Sequence, residues 1–353
     1  MTIYNELCLR MHGVRSDKLA LSMGGFLACA ALAYRFVLAP CWSRAIELPG
    51  RLVKCGPSGA ARVRVLESGG SVVPGGATTV LIHGMGCNSL EWAFILPRLR
   101  GQWFSYDRTV CVEGDLPQPR SVQVLVAELR AVLCESGAKP PYVLIGHSLG
   151  GQVARCFALL HRAEVSALLL IDPAHELQFS PPMPLDFQLA FAVLPAVCSV
   201  YSLLAPFGLA RCQDFLGALA EPYVTSLSLA FPPLHLYPRA ARVMARELYS
   251  HASPWRLLAA ELAGFKASFA WVESLGQLDE SLPVTIIVAA KRNLSPTLFP
   301  GSITAAFLAL AKRVLSDSPK HRIVQAQESD HWVHLQQPEL VQAELNRLLD
   351  SVN

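Results

Sequence analysis

One serine in this chain is flanked by glycines in a setting that could make it a nucleophile. Gly146-His147-Ser148-Leu149-Gly150 follows the apolar run Tyr142 to Ile145 and leads into a helical pattern from Gly151 to His161. A serine hydroxyl attacks poorly until a base takes its proton. In a sharp strand-to-helix turn the hydroxyl is held proud of the sheet, the glycines leave room for neighbouring backbone and substrate, and the helix start offers N–H groups to a developing oxyanion. Ser148 is therefore the expected nucleophile of an acyl hydrolase.

Such a serine needs a base, and Glu328-Ser329-Asp330-His331-Trp332-Val333-His334 supplies one between the last predicted strand and a C-terminal helix beginning near Pro338. His331 lies nearer the strand end and is the expected general base, because an imidazole accepts and returns a proton near neutrality. His334 is on the segment entering the helix and reads as structural. Two oxyanion donors are expected: the amide of Leu149, directly after the nucleophile, and the amide of Met85 in His83-Gly84-Met85-Gly86, just past the strand Thr78 to Ile82. His83 reads as an anchor for that loop. Asp172, one helix and one strand beyond Ser148, is the expected acid that holds the His331 tautomer. Glu176 and Asp330 are the alternatives, and Asp172 could instead merely brace the turn before Pro173.

These residues need a scaffold that brings strand ends together. From residue 62 onward short β-branched runs alternate with amphipathic helical stretches, the pattern of βαβ units in a mostly parallel sheet. Strands are expected at 62–66, 78–82, 103–106, 142–145, 167–171, 284–288 and 322–324, with helices at 121–134 and 151–161. The interval 181–270 breaks the rhythm with apolar stretches interrupted by Pro195, Pro206, Pro222, Pro232 and Pro233, and reads as a helical cap. The division is then 1–42 tail and apolar anchor, 60–180 and 271–353 the two parts of a hydrolase core, and 181–270 the cap.

The elbow Pro141 to Gly151, Tyr106-Asp107-Arg108, Asp172-Pro173-Ala174-His175 with Glu176 after it, and the C-terminal histidine segment together resemble the α/β-hydrolase family, in a subgroup with its acid after the sixth strand. The resemblance covers 78–178 and 282–345. It implies an α/β fold with flanking helices and a reaction class of esterases, lipases, thioesterases and related acyl hydrolases. Many members carry the acid after the next strand, where this chain has Ala289-Ala290-Lys291-Arg292-Asn293 and no carboxylate.

Composition narrows the partners. Hydrophobic residues make up 52% and charged residues only 16%, against about 25% charged in average soluble domains. Leu19 to Tyr34 is an unbroken uncharged run. A single N-terminal membrane anchor is the expectation adopted, with a signal peptide cleaved after Ala31-Leu32-Ala33, giving a secreted or luminal protein, and a helix packed on the protein itself as the alternatives. The net charge of +3 comes from interspersed residues, and no basic stripe suggests nucleic acid. The 10 cysteines form no C-x-x-C pair and no Cys/His cluster with zinc-ligand spacing, so buried free thiols, no metal and no cofactor are expected. The chemistry expected is hydrolysis of a small-molecule or lipid ester, or thioester, with an apolar acyl group. Acyl transfer to another acceptor, or a catalytically silent binding protein on the same fold, is the alternative.

Overall fold

The computed structural model describes residues 49–55, 61–68, 76–108, 120–180, 183, 185–207, 233–291 and 303–352. The expected anchor within 1–42 lies outside the described residues, as do 208–232 of the cap.

One eight-stranded sheet organises the core, with strands in the order β1-β2-β4-β3-β5-β6-β7-β8. These are β1 (Arg51–Cys55), β2 (Ala61–Glu67), β3 (Thr78–Ile82), β4 (Trp103–Asp107), β5 (Tyr142–His147), β6 (Val165–Ile171), β7 (Val284–Ala289) and β8 (His321–Ala326). Strand β2 pairs antiparallel with both β1 and β4; the other strand pairs are parallel. Helices cover both faces of the parallel part, so β3, β5 and β7 are buried along their whole length, which is why they read as near-continuous apolar runs. Strand β1 was not among the expected strands. Arg51 and Lys54 interrupt its apolar residues, and as an edge strand it buries only Val53 and Cys55.

The helices are α1 (Val122–Ser136), α2 (Leu149–Leu160), α3 (Leu185–Leu204), α4 (Arg239–Tyr249), α5 (Ala252–Ala267), α6 (Phe269–Ser274), α7 (Ile303–Val314), α8 (Val333–Gln336) and α9 (Pro338–Val352). Residues of α1, α2 and α7 pack in one core cluster, while Val341, Leu345 and Leu348 of α9 close the opposite face with Leu81, Ile145 and Ile287. Helix α1 starts where the Ser121 hydroxyl accepts the Val124 amide and ends at Gly137, whose φ of 74° suits a residue without Cβ.

Helices α3, α4 and α5 form the cap. Their shared core includes Leu194, Cys198, Ala241, Tyr249, Trp255 and Leu258, and it also takes in Cys87, Leu90 and Trp332 from the loops around the site. The cap is thereby packed on the loops that hold Cys87, Leu90 and Trp332. One expectation changes here: Pro195 does not split the apolar run, because α3 continues through it. A proline removes one ladder bond, about 3 kcal/mol in an unsupported helix, and the burial of Phe187, Leu194 and Cys198 supports this one. By length and composition alone, Phe187–Leu204 could cross a membrane. Of the described cysteines, Cys55, Cys87, Cys156 and Cys198 are buried thiols as expected, and Cys134 is exposed.

Helix α5 lies so close to the start of α1 that a Cβ on Gly264 would stand 2.2 Å from the Arg120 carbonyl carbon and oxygen. Real Cβ atoms do not approach backbone so closely, and the two segments must part to admit one. Gly264→Ala is expected to lower the urea unfolding free energy by about 2 kcal/mol or more, whereas Gly276→Ala, surrounded by open space at a φ of 81°, loses about 1 kcal/mol. A Gly264→Ala protein with the wild-type midpoint would contradict this packing.

Candidate active site

Strand β5 ends at His147 and α2 begins at Leu149, leaving Ser148 alone to make the turn. Its backbone adopts φ 52°, ψ −119°, a region that L-residues avoid and that costs about 1–3 kcal/mol. The surroundings hold it there. The Ser148 amide donates to Ile171 O at 3.0 Å, and its carbonyl accepts from Gly151 N at 3.0 Å and Ala174 N at 2.9 Å. The turn also needs Gly150, because a Cβ there would stand 2.0 Å from the Ile82 carbonyl oxygen. Strand β3 and the elbow are in backbone contact.

Asp172 follows β6 at φ 42° and is buried. Its amide donates to Ile287 O at 2.7 Å, and its Oδ1 accepts from the Ala289 amide at 3.0 Å. The other carboxylate oxygen lies 2.5 Å from His331 Nδ1. A charge-assisted contact of that length fixes the proton on Nδ1 and turns Nε2 outward as the basic nitrogen. Glu176 is occupied elsewhere, accepting from Arg155 Nη2 at 2.8 Å and Gln152 Nε2 at 3.2 Å. Asp330 accepts the Trp332 amide at 3.0 Å. Of the three carboxylates weighed, Asp172 is the one on the histidine.

Ser148, Asp172, His331 and Met85 line one cleft with Pro173, Ala174, Gln178, Phe187, Phe191 and Phe307. Its walls are mostly apolar, and two of the phenylalanines come from cap helix α3.

The loop carrying Met85 is held by buried polar groups. Within it, Gly84 N donates to Glu91 Oε1 at 3.1 Å, Gly86 N to Glu261 Oε2 at 3.1 Å, and Cys87 N to Gly84 O at 3.3 Å. Among the described residues the Met85 amide has no such acceptor, and the Leu149 amide, first in its helix, has no intrahelical one either. Arg108 explains the Tyr-Asp-Arg segment: its Nε meets Glu261 Oε1 at 2.8 Å and its Nη2 donates to Gly84 O at 2.8 Å. Burial opposes the Arg108 charge, but Glu261, Tyr106 and Glu128 together outweigh it and raise the pKa. His83 is the anchor expected. The Arg108 amide donates to its Nε2 at 3.0 Å, and its Nδ1 donates to Gly84 O at 2.8 Å.

A family model described as the alpha/beta hydrolase family matches residues 79–344. The chain belongs to the alpha/beta hydrolase family. Among curated relatives of this hydrolase, a pimeloyl-[acyl-carrier protein] methyl ester esterase of Pseudoalteromonas atlantica is 28% identical over 261 residues, 69% of this chain and 94% of the relative. The uncharacterised YqjL of Bacillus subtilis is 28% identical over 102 residues, 28% of this chain and 40% of its own length. Two further relatives are matched over only 19% and 29% of their own lengths. Among solved structures, a thermophilic esterase from Thermogutta terrifontis aligns with a TM-score of 0.56 at 18% identity, covering 86% of this chain and 99% of that one. The Cif epoxide hydrolase of Acinetobacter nosocomialis aligns at 0.62 and 15% identity, covering 92% and 96%. At such identities the structural likenesses establish the fold of this chain alone.

Sequence reading missed one group of residues. Glu91, His147 and His334 meet beside the base loop, although they are far apart in the chain and no spacing rule connects them. The only signal was compositional, a carboxylate and extra histidines next to each catalytic segment.

Buried histidines, His83 and His175 among them, are expected to make the fold acid-sensitive. Burial, with Arg108 nearby, pushes His83 well below its usual range, and burial lowers His175 to about 4. Between those values and the unfolded value near 6.5 the unfolded chain binds more protons, so stability present above pH 6.5 is lost as pH falls. Each ring contributes at most about 1.4 kcal/mol per pH unit. Urea midpoints are expected to drop between pH 7.5 and 5.5, and His175→Gln, which keeps an acceptor for the Leu177 amide, should shrink that drop. Equal slopes in the two proteins would remove His175 from this account.

Proposed function

We propose that this protein hydrolyses esters or thioesters with an apolar acyl group, through an acyl-enzyme on Ser148. The observation that carries the reading is the contact of 2.5 Å between His331 Nδ1 and Asp172 Oδ2, made by two residues that share a cleft with a strained serine. With Nδ1–H committed to Asp172, His331 Nε2 takes the proton from the Ser148 hydroxyl as its oxygen attacks the carbonyl. The Met85 and Leu149 amides, without another acceptor among the described residues, receive the oxyanion. Collapse expels the alcohol or thiol, which takes the proton back from Nε2. Water, deprotonated by the same nitrogen, then releases the acid. Phe187, Phe191 and Phe307 favour an apolar acyl chain over a charged one. The relative named as a methyl ester esterase supports ester chemistry.

Kinetics with p-nitrophenyl esters and labelling by a fluorophosphonate test this reading. The wild type should turn over octanoate faster than acetate and take the label. Ser148→Ala should lose both activities with its fold intact, and Asp172→Asn should lose about 10⁴ in kcat. Glu176→Gln and Asp330→Asn should stay within a few-fold of the wild type. Near wild-type turnover by folded Ser148→Ala would refute the nucleophile. A silent binding protein would take no label, and acyl transfer would show as faster product release with added alcohol.

The location proposed is a membrane, through the uncharged run Leu19 to Tyr34. Full-length protein should stay in the pellet on carbonate extraction. Release into the supernatant, or a mature N-terminus at Tyr34, would count against the anchor.

A further inference from the structure

Beside the base loop, three side chains converge from separate segments. Glu91 comes from the 3₁₀ turn Ser89–Trp92, His147 from the end of β5, and His334 from α8. All are fully buried, and their ligand atoms lie within 4.8 Å of one another. Glu91 Oε2 is 3.4 Å from His147 Nδ1 and 3.9 Å from His334 Nε2.

A proton inventory shows that this group is incomplete. His147 Nε2 is 3.0 Å from the His331 carbonyl oxygen, and a carbonyl only accepts, so Nε2 carries the hydrogen. In the neutral ring Nδ1 then presents a lone pair to a carboxylate oxygen, two acceptors face to face. For His334 the problem is greater: neither ring nitrogen has a hydrogen-bond partner among the described residues, and a buried polar group without a partner is destabilising. A proton on His147 would repair the first contact but leave His334 as it is. A divalent cation would satisfy the Glu91 oxygen, His147 Nδ1 and His334 Nε2 together.

We propose that Glu91, His147 and His334 bind a structural divalent cation, with zinc the metal their donor set favours. Two imidazoles and a carboxylate suit zinc. Metal–ligand distances of about 2.0–2.2 Å imply tetrahedral edges of about 3.4 Å. The Glu91–His147 edge already has that length, and the Glu91–His334 edge closes by a small turn of a ring that has no hydrogen bond to break. The outer contacts of His147 and Glu91 also fit, since metal-bound histidines usually donate their other N–H to a carbonyl or carboxylate. Here His147 donates to His331 O, and Gly84 N holds the second Glu91 oxygen. Such an ion would tie together the oxyanion loop, the nucleophile elbow and the base loop without touching the reacting atoms. Being fully enclosed, it would enter during folding.

Metal content decides the matter independently of catalysis. Untagged full-length protein, produced in zinc-supplemented medium and purified without chelator, is analysed by inductively coupled plasma mass spectrometry. About one zinc per chain is expected in the wild type and equally in Ser148→Ala. His334→Phe, which preserves the ring packed at 4.9 Å on Trp92, and Glu91→Gln should each retain less than about a tenth of it. Cobalt supplied instead should give visible d–d bands in the wild type that both variants lack. A folded wild type with no stoichiometric divalent metal would overturn the proposal. Full metal content in either folded variant would overturn it too. Should both variants fail to fold, the wild-type metal count and cobalt spectrum still decide.

Discussion

The buried pair between Arg108 and Glu261 is the contact on which the arrangement of the site depends. Arg108 follows β4, Glu261 belongs to cap helix α5, and each side chain also holds the glycine-rich loop between them, through Gly84 O and Gly86 N. Both are fully buried. Removing one partner from such a pair usually costs about 3–5 kcal/mol, because the other charge is stranded. That penalty makes the cap, the sheet and the oxyanion loop settle as one unit. Asp107 continues the lattice, accepting the Ser89 amide at 2.6 Å and pairing with Arg64 on β2. The loop amides that might otherwise face in many directions are fixed, and the Met85 amide is left over.

A second economy lies in the use of backbone strain. Ser148 and Asp172 are the non-glycine residues with positive φ among those described, and they stand at the ends of adjacent strands. Each is held by ladder-like bonds to the next strand end, Ser148 to Ile171 and Asp172 to Ile287. The sheet thus meets the cost of two unfavourable conformations with the rigidity of its most buried strands. In return both side chains leave the sheet edge toward the same cleft, where His331 is already turned by its contact with Asp172. Among the described residues, the cap adds apolar walls through Phe187 and Phe191 and no polar group to the cleft that Ser148, Asp172 and His331 line.

Much of this was legible in the chain itself. The period of the apolar runs specified a parallel sheet, because strands covered on both faces must be apolar on both. Gly146-His147-Ser148-Leu149-Gly150 specified the elbow, because only small residues can pass as close to β3 as Gly150 does. The absence of a carboxylate in Ala289-Ala290-Lys291 pointed toward Asp172 by position. Strand β1 and the continuity of α3 through Pro195 were not legible, the first because an edge strand needs little apolar pattern and the second because packing overrides local propensity.

The sequence by itself determined strands β2 to β8, their alternation with helices and the types of residue available at each strand end, since these follow from short-range periodicity and turn chemistry. Only the tertiary structure decided which carboxylate meets His331, because Asp172, Glu176 and Asp330 are equivalent in charge and differ only in which partners burial brings to them. It alone assembled Arg108 with Glu261, and Glu91 with His147 and His334. Contacts between residues so far apart in the chain leave no local pattern, and they are settled by which buried polar groups can find a partner once water is excluded.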